Sequence, residues 1–261
     1  MMADNIGFTL SAAVPPGISS VLSAGAFGAF TSIAPGSWIE VYGTSLASTT
    51  QGWSGSDFNN GIAPTSLAGV SVSIGGKAAF IDYISPGQIN ALVPSDVPTG
   101  MANLTVTNSN GTSNSVPLTV NSTQPGLLAP PSFKIGGKQY MAALFPDGSF
   151  ALPQNAISGV ASRPAKPGDS LVVYGIGFGP VSPAVSAGTV VTQGNSLVTP
   201  VQFTVGTTPA LLSYDGLVPS FTGLYQFNVV VPNVAAGDAV AISFTLAGTQ
   251  ASQTLYIAVQ N

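Results

Sequence analysis

Apolar and polar residues alternate along three short segments, residues 70–74, 104–107 and 116–120. A period of two is typical of β-strands with one buried and one exposed face. Asn110 and Gly111 lie between the last two segments, and this pair tolerates the positive φ angles of a tight hairpin turn. The chain also contains 31 Gly and 21 Pro residues, which interrupt every window of helical period, so the pattern predicts an all-β fold.

Three blocks of sequence occur twice along the chain, in the same order. The paired blocks are residues 35–43 with 167–175, 75–83 with 206–214, and 88–94 with 226–232. Each copy contains short alternating segments separated by frequent turns, which is typical of a β-sandwich of immunoglobulin type. We therefore predict two tandem immunoglobulin-like β-sandwich domains.

The repeat also sets the predicted domain limits. The first domain is predicted over residues 18–121 and the second over residues 126–261, joined by a short polar linker that ends in Pro-Gly. Residues 1–17 are predicted to form an N-terminal extension with a spare strand. The second domain is predicted to carry an extra hairpin near residues 139–153, where the sequence Pro-Asp-Gly favours a turn.

Charged residues are rare and two chemically versatile residue types are missing. The chain has 5 Lys and Arg against 9 Asp and Glu, a net charge of −4, and neither His nor Cys. A Ser-His-Asp triad, a thiol nucleophile and a Cys- or His-ligated metal site are therefore excluded. Five cations neutralise too few phosphates for nucleic-acid binding. The acidic residues do not recur at matched positions of the two copies, so we predict no paired carboxylates, no metal, no cofactor and no enzymatic activity.

Several short motifs follow one another in a fixed order. They are Pro-Gly-x-x-Ile/Leu-x-Val-Tyr-Gly at 35–43 and 167–175, Ile-Gly-Gly at 74–76, Gln-Ile-Asn at 88–90, Val-Pro at 93–94, Gly100, and Asn-Gly-Thr-Ser at 110–113. This series resembles IPT/TIG-type immunoglobulin-like domains. More narrowly, Ala-Gly-Ala-Phe at 24–27 with Ile-Ala-Pro-Gly-Ser at 33–37 is similar to the uncharacterised C-terminal module of large secreted acidobacterial (Solibacter-type) proteins. The resemblance implies a secreted or cell-surface β protein and supplies no catalytic residues.

The expected location is extracellular or at the cell surface. This expectation follows from the resemblance and from a polar composition that is mostly neutral. Residues 1–5 lack the basic and apolar regions of a signal peptide, so none is predicted within this chain. No uninterrupted apolar run reaches about 18 residues, so no membrane span is predicted.

The loop over residues 47–65 is the first candidate binding site. It contains Trp53, Asp57, Phe58, Asn59 and Asn60. Aromatic faces can stack on the CH groups of a sugar while amides bond its hydroxyls, which predicts a glycan platform. In the alternative interpretation, the two aromatic side chains fold back and cap the end of the sandwich.

The N-terminal extension is the second candidate. Ile6, Phe8 and Leu10 alternate with small or polar residues and indicate a strand. This strand either pairs with its own domain or is donated to the sheet edge of a neighbouring molecule. Few charged residues are present to guard the sheet edges, which favours edges that are covered or used for assembly.

These observations predict a non-enzymatic extracellular or cell-surface protein with a structural or adhesive role, acting through its β-sandwich surfaces. Two alternatives remain open at this point: a self-assembling fibre subunit that uses strand donation, and a carbohydrate-binding module. The expected partners are accordingly a protein, including a second copy of the chain, or a glycan.

Overall fold

The computed structural model describes residues 13–24 and 30–261. Within these ranges the chain forms β-strands, loops and short 3-10 segments that include Gly55–Asp57 and Pro131–Phe133, with no α-helix. Ile6, Phe8 and Leu10, predicted as an assembly strand, lie outside the described residues. No helix in the described ranges is long and apolar enough to span a membrane.

Ten strands build the first sandwich. They are β1 (Gly17–Ser23), β2 (Trp38–Thr44), β3 (Gln51–Gly52), β4 (Ser71–Ile74), β5 (Lys77–Ala78), β6 (Phe80–Ile84), β7 (Gln88–Leu92), β8 (Gly100–Asn108), β9 (Gly111–Thr112) and β10 (Val116–Val120). One antiparallel sheet has the order β1-β2-β7-β6-β3, and the other has the order β10-β8-β4-β5, with β9 paired to β8. The alternating segments of the sequence thus become β4, β8 and β10.

The core of the first sandwich lies between these two sheets. Ile39 and Ile89 from the first sheet and Val72 and Leu104 from the second are fully buried in one cluster. Each alternates along its strand with a more exposed residue, because successive side chains of a strand point to opposite faces. The outward face of β2, which begins with Trp38, is thereby left free to contact other parts of the chain.

The second half of the chain contains thirteen strands, nine of which form the hydrogen-bonded path of the second sandwich, while the other four form two separate two-stranded sheets. They are β11 (Gly126–Leu127), β12 (Lys134–Ile135), β13 (Lys138–Gln139), β14 (Ala143–Leu144), β15 (Ser170–Ile176), β16 (Val181–Ser182), β17 (Ser196–Leu197), β18 (Val201–Val205), β19 (Thr208–Leu217), β20 (Tyr225–Val230), β21 (Gly237–Leu246), β22 (Thr249–Gln250) and β23 (Leu255–Val259). The main path runs β11-β15-β20-β19-β18-β21-β22, with β14 on β15 and β23 on β21.

Strand β19 joins the two layers of the second sandwich. Its first residues pair with β18, and its later residues pair with β20. Four fully buried rings fill the space between the layers: Phe178, Phe203, Phe227 and Phe244. The ring centroids of Phe178 and Phe227 lie 4.6 Å apart. The chain therefore consists of two tandem immunoglobulin-like sandwiches, and the predicted all-β fold class is confirmed.

The segment between β11 and β15 packs outside the main core of the second sandwich. Phe133, Tyr140 and Leu152 form their own small buried cluster. Near residues 139–153 the chain reverses through a turn in which the Phe145 amide donates to the Ser149 carbonyl at 2.8 Å. Strand β14, just before this turn, pairs with β15 and so attaches the segment to the sandwich.

Candidate functional site

The two sandwiches are joined by main-chain pairing. Residues 59–62 form a tight turn in which Asn60 and Gly61 have φ angles of +50° and +75°. The Val190 amide in the second sandwich donates to the Gly61 carbonyl at 2.8 Å, and the Ala63 amide donates to the Gly188 carbonyl at 2.7 Å. Main-chain hydrogen bonds therefore join this turn of the first sandwich to the loop around residues 188–190 of the second.

Two glycines of the second sandwich allow the close approach. Gly188 has a φ of +80°, and a Cβ atom at this position would overlap the ring of Phe80 in β6. Gly223 has a φ of +67°, and its Cβ would lie 2.5 Å from Cδ1 of Leu92 in β7. Any larger residue at either position would push the sandwiches apart, because packed side chains leave no free space.

A tryptophan adds a third connection. The indole Nε1–H of Trp38, at the start of β2, donates to the main-chain oxygen of Thr222 at 3.2 Å. Thr222 is buried, and its hydroxyl has no hydrogen-bond partner among the described residues.

A cavity of about 390 Å³ opens beside these contacts. We call it the aromatic cleft, and residues of both sandwiches line it. They are Trp38, Trp53, Phe58, Asp82, Val190, Ser220, Phe221, Thr222 and Leu224. The volume falls within the range of about 300–1,000 Å³ typical of small-molecule sites.

The aromatic rings form walls rather than a flat platform. The rings of Trp38 and Trp53 lie 5.6 Å apart at an interplanar angle of 75°, and those of Trp53 and Phe58 lie 4.8 Å apart at 59°. The amide of Trp53 donates to the carbonyl of Asp82 at 2.8 Å, which fixes this loop on β6. Phe221 of the second sandwich, which also lines the cavity, is 56% exposed. Together with the partly exposed rings of Trp53 and Phe58, it forms an apolar patch, and such patches commonly mark binding surfaces.

One charged group lies in the cleft. Burial raises the pKa of the Asp82 carboxyl, and a hydrogen bond from the Asn90 side chain opposes that shift. Asp82 is the only ionisable side chain that lines the aromatic cleft within the described residues. An acid–base dyad would require a second carboxylate, so the cleft as described offers hydrogen bonding and stacking but not paired-acid chemistry.

The structure separates the five predicted platform residues into two groups. Trp53 and Phe58 line the aromatic cleft. Asp57 instead accepts hydrogen bonds from the amide and hydroxyl of Ser54, at 2.6 and 2.8 Å, within the turn Gly55–Asp57. Asn59 and Asn60 belong to the turn that pairs with the second sandwich, and neither lines the cleft.

Sequence reasoning missed the remaining aromatic and acidic members of the cleft. Trp38 matches Ser170 in the second copy of the repeat, and Asp82 matches Ser213. Both residues could have been identified as outward-facing positions at which the two copies of the repeat carry different residue types. Phe221 lies outside every repeated block and carried no comparable signal.

A second cavity, of about 460 Å³, also lies between the sandwiches. Its lining is mostly Pro, Gly, Ala and hydroxyl residues, with Tyr225 as the one aromatic side chain among the described residues. The Tyr225 hydroxyl already donates to the Gly179 carbonyl. In the described part of the chain, no three His, Cys, Asp or Glu residues come together as a metal site. The aromatic cleft is therefore the stronger candidate for ligand binding.

Comparison with known proteins gives distant structural likenesses only. No family model matches the chain, and no curated protein matches it. SGBP-B of the Bacteroides ovatus mixed-linkage glucan utilization locus, solved with a mixed-linkage heptasaccharide, has a TM-score of 0.37 and 10% identity over 88% of this chain and 44% of its own. SGBP-B of a Bacteroides uniformis xyloglucan utilization locus gives 0.28 and 12% over 94% and 50%.

Domains 5–6 of the S-layer protein SbsC have a TM-score of 0.29 and 11% identity, over 94% of this chain and 99% of that one. The chain spans about half or less of the length of the two SGBP-B proteins. At TM-scores below 0.5, these likenesses establish no function for this chain.

Proposed function

We propose that this chain is a non-enzymatic adhesive protein of the cell exterior, and that its two sandwiches together bind a glycan in the aromatic cleft. One observation carries the proposal: Trp53 and Phe58 of the first sandwich and the exposed Phe221 of the second line the same cavity of about 390 Å³. These rings supply stacking surfaces, and Asp82 supplies a hydrogen-bond acceptor.

The chemistry of the cleft suits a sugar better than a purely apolar ligand. A pyranose ring has apolar CH faces and polar hydroxyls at its edge, so it requires aromatic surface and hydrogen-bonding groups together. The Asp82 carboxylate accepts from sugar hydroxyls, and the Ser220 hydroxyl both donates and accepts. A single carboxylate supports binding without hydrolysis.

The contact between the sandwiches favours tight binding. The main-chain pairing around Gly61 and Gly188 and the Trp38 hydrogen bond hold the two halves of the cleft at a fixed separation. A site whose walls are already in place loses less conformational entropy when a ligand binds. This supports a cleft that is formed before the glycan arrives.

We propose further that the two sandwiches are IPT/TIG-type domains over residues 18–121 and 126–261, of the kind found in secreted acidobacterial proteins. The ordered sequence motifs support this assignment. The separate buried clusters support the two limits, since one contains residues from 18 to 120 and another contains residues from 127 to 259.

Isothermal titration calorimetry with a panel of linear oligosaccharides tests the proposed function. Phe221→Ala removes an exposed ring at little cost to folding, and we expect it to weaken binding by about tenfold or more, as for a residue that dominates an interface. Leu211→Ala is the matched control, because Leu211 is 76% exposed and lies outside the cleft. Equal binding by the two variants, or no binding by the unmodified protein, would contradict the proposal.

Assembly by strand donation remains a second candidate. Strand β1 lies at the end of its sheet, which gives a donated strand a place to pair. The side chain of Asn114 accepts from the Ile18 amide at 2.9 Å and so occupies part of that edge. If Ile6, Phe8 and Leu10 form the donated strand, deleting residues 1–12 converts polymers to monomers in light scattering; a monomer before and after deletion contradicts assembly.

A further inference from the structure

The aromatic cleft carries a negative charge with no cation beside it. Asp82 lines the cleft, whereas none of the five Lys and Arg residues does. Lys77 is paired with Asp96 at 2.7 Å, and Arg163 is paired with Asp169 at 3.1 Å. Lys138 lies over the Tyr256 ring, 5.1 Å from its centroid, in the second sandwich. The remaining two, Lys134 and Lys166, are exposed residues of the second sandwich.

The polar side chain beside the Asp82 carboxylate, that of Asn90, is neutral. The side chain of Gln88 donates to Oδ1 of Asn90 at 2.8 Å. This leaves the Asn90 amide group free to donate toward the Asp82 carboxyl, whose pKa it lowers against the effect of burial. A neutral donor does not cancel the charge of a carboxylate. In a partly buried cleft that charge acts over several ångströms, because salt and water screen it less than at an open surface.

The fold itself does not require an acid at this position. The matching residue in the second sandwich is Ser213, and both strands form in the same way within their sheets. A half-buried carboxylate without a cation is unfavourable for folding, because burial removes it from water. The place of Asp82 in the cleft lining therefore points to a role in binding rather than in folding.

We propose that Asp82 is the specificity-determining residue of the aromatic cleft, which selects neutral glycans and excludes those that carry carboxylate or sulfate groups. The inference rests on the glycan binding proposed above. Neutral sugar hydroxyls donate to the carboxylate in charge-assisted hydrogen bonds. An acidic sugar instead brings a second anion close to the first with no cation to balance it, and such repulsion is an effective way to reject a ligand.

The test compares matched glycans that differ in whether C6 carries a hydroxyl or a carboxylate. The probes are neutral linear hexasaccharides of β-1,4-glucose, β-1,4-mannose and α-1,4-glucose, each beside its counterpart oxidised to the carboxylate at C6. Binding is measured by calorimetry for the unmodified protein, Asp82→Asn and Asp238→Asn. Asp238 is an exposed acid of β21 that does not line the cleft, so its variant removes the same net charge elsewhere.

We expect the unmodified protein to bind at least one neutral probe about tenfold or more tightly than its oxidised counterpart. Asp82→Asn should bring the two within about twofold of each other, whereas Asp238→Asn should keep the full difference. For the unmodified protein, the difference in affinity between a neutral probe and its oxidised counterpart should also decrease in 1 M NaCl, where the Debye length is roughly 3 Å.

The outcomes separate this inference from the proposed function. If neutral probes bind and their oxidised counterparts bind equally well, the role of Asp82 is wrong but glycan binding stands. The same holds if Asp82→Asn leaves the discrimination intact. If no probe binds the unmodified protein, both the glycan-binding proposal and the role of Asp82 are overturned.

Discussion

Trp38 in the first sandwich donates its indole N–H to the main-chain oxygen of Thr222 in the second, at 3.2 Å. The same indole lies 5.6 Å from the ring of Trp53 and lines the aromatic cleft. Trp38 therefore both connects the two sandwiches and forms part of the lining of the cleft between them. Any change that separates the sandwiches must also alter the shape of the cleft.

The indole hydrogen bond makes a measurable contribution to stability. Trp38→Phe keeps an aromatic ring but removes the donor, which leaves the buried Thr222 carbonyl without this partner. We expect the free energy of unfolding to fall by about 0.5–1.5 kcal/mol in urea denaturation. Trp53→Phe is the control, because the Trp53 indole N–H has no hydrogen-bond partner among the residues described. Equal losses in the two variants would show that the bond between Trp38 and Thr222 contributes nothing.

The close contact at Gly188 can be separated from its backbone strain. Gly188 and Gly248 have φ angles of +80° and +79°, but only a Cβ at Gly188 meets another side chain, that of Phe80. Replacing either glycine by Ala introduces similar strain. We expect Gly188→Ala to lose roughly 1–3 kcal/mol more than Gly248→Ala, because it also overpacks the contact.

Small-angle scattering of the same two variants should show a larger maximum dimension for Gly188→Ala alone. If both variants unfold at the same denaturant concentration and scatter alike, the two sandwiches are not held together through Gly188.

The raised pKa of Asp82 gives its variant a characteristic pH dependence. Burial makes the folded state bind a proton more readily than the unfolded state, so the ionised carboxylate destabilises the fold above its folded pKa. The stability it contributes is present below the unfolded pKa and is lost as the pH rises through the folded pKa.

Asp82→Asn should therefore raise the melting temperature at pH 7, and its advantage over the unmodified protein should disappear by pH 3. Thermal unfolding followed by circular dichroism measures both values. If the melting temperature of Asp82→Asn instead exceeded that of the unmodified protein by more at low pH than at pH 7, burial would not destabilise the ionised Asp82 carboxylate.

The strands could be predicted from the sequence because apolar residues alternate with polar ones wherever one face of a strand is buried. Residues 70–74 and 116–120 alternate, and they form β4 and β10 with one face in the core. Trp53 and Phe58 were also found from the sequence, since bulky rings in a polar loop stand out. The hydrogen bonds between Asp57 and Ser54 could not be predicted from the sequence, because a short acidic side chain can bind either the main chain of a local turn or a ligand.

The other half of the cleft could not be predicted in this way. Trp38 and Thr222 are far apart in the sequence, and no local pattern encodes the distance between two sandwiches. The exposed Phe221 belongs to a loop whose position depends on that packing. Comparing the two copies residue by residue was the only route to Trp38 and Asp82, because Ser170 and Ser213 show what the fold alone requires at those positions.

Intrinsic fluorescence tests glycan binding in the aromatic cleft most directly. The chain contains two tryptophans, Trp38 and Trp53, and both line the cleft, so their emission reports on this surface alone. We predict that titration with a neutral linear oligosaccharide from the panel changes the emission in a saturable manner, and that Phe221→Ala shifts the midpoint about tenfold or more to higher concentration. Binding detected by calorimetry without any change in tryptophan emission, or emission that no oligosaccharide alters, would contradict the proposed site.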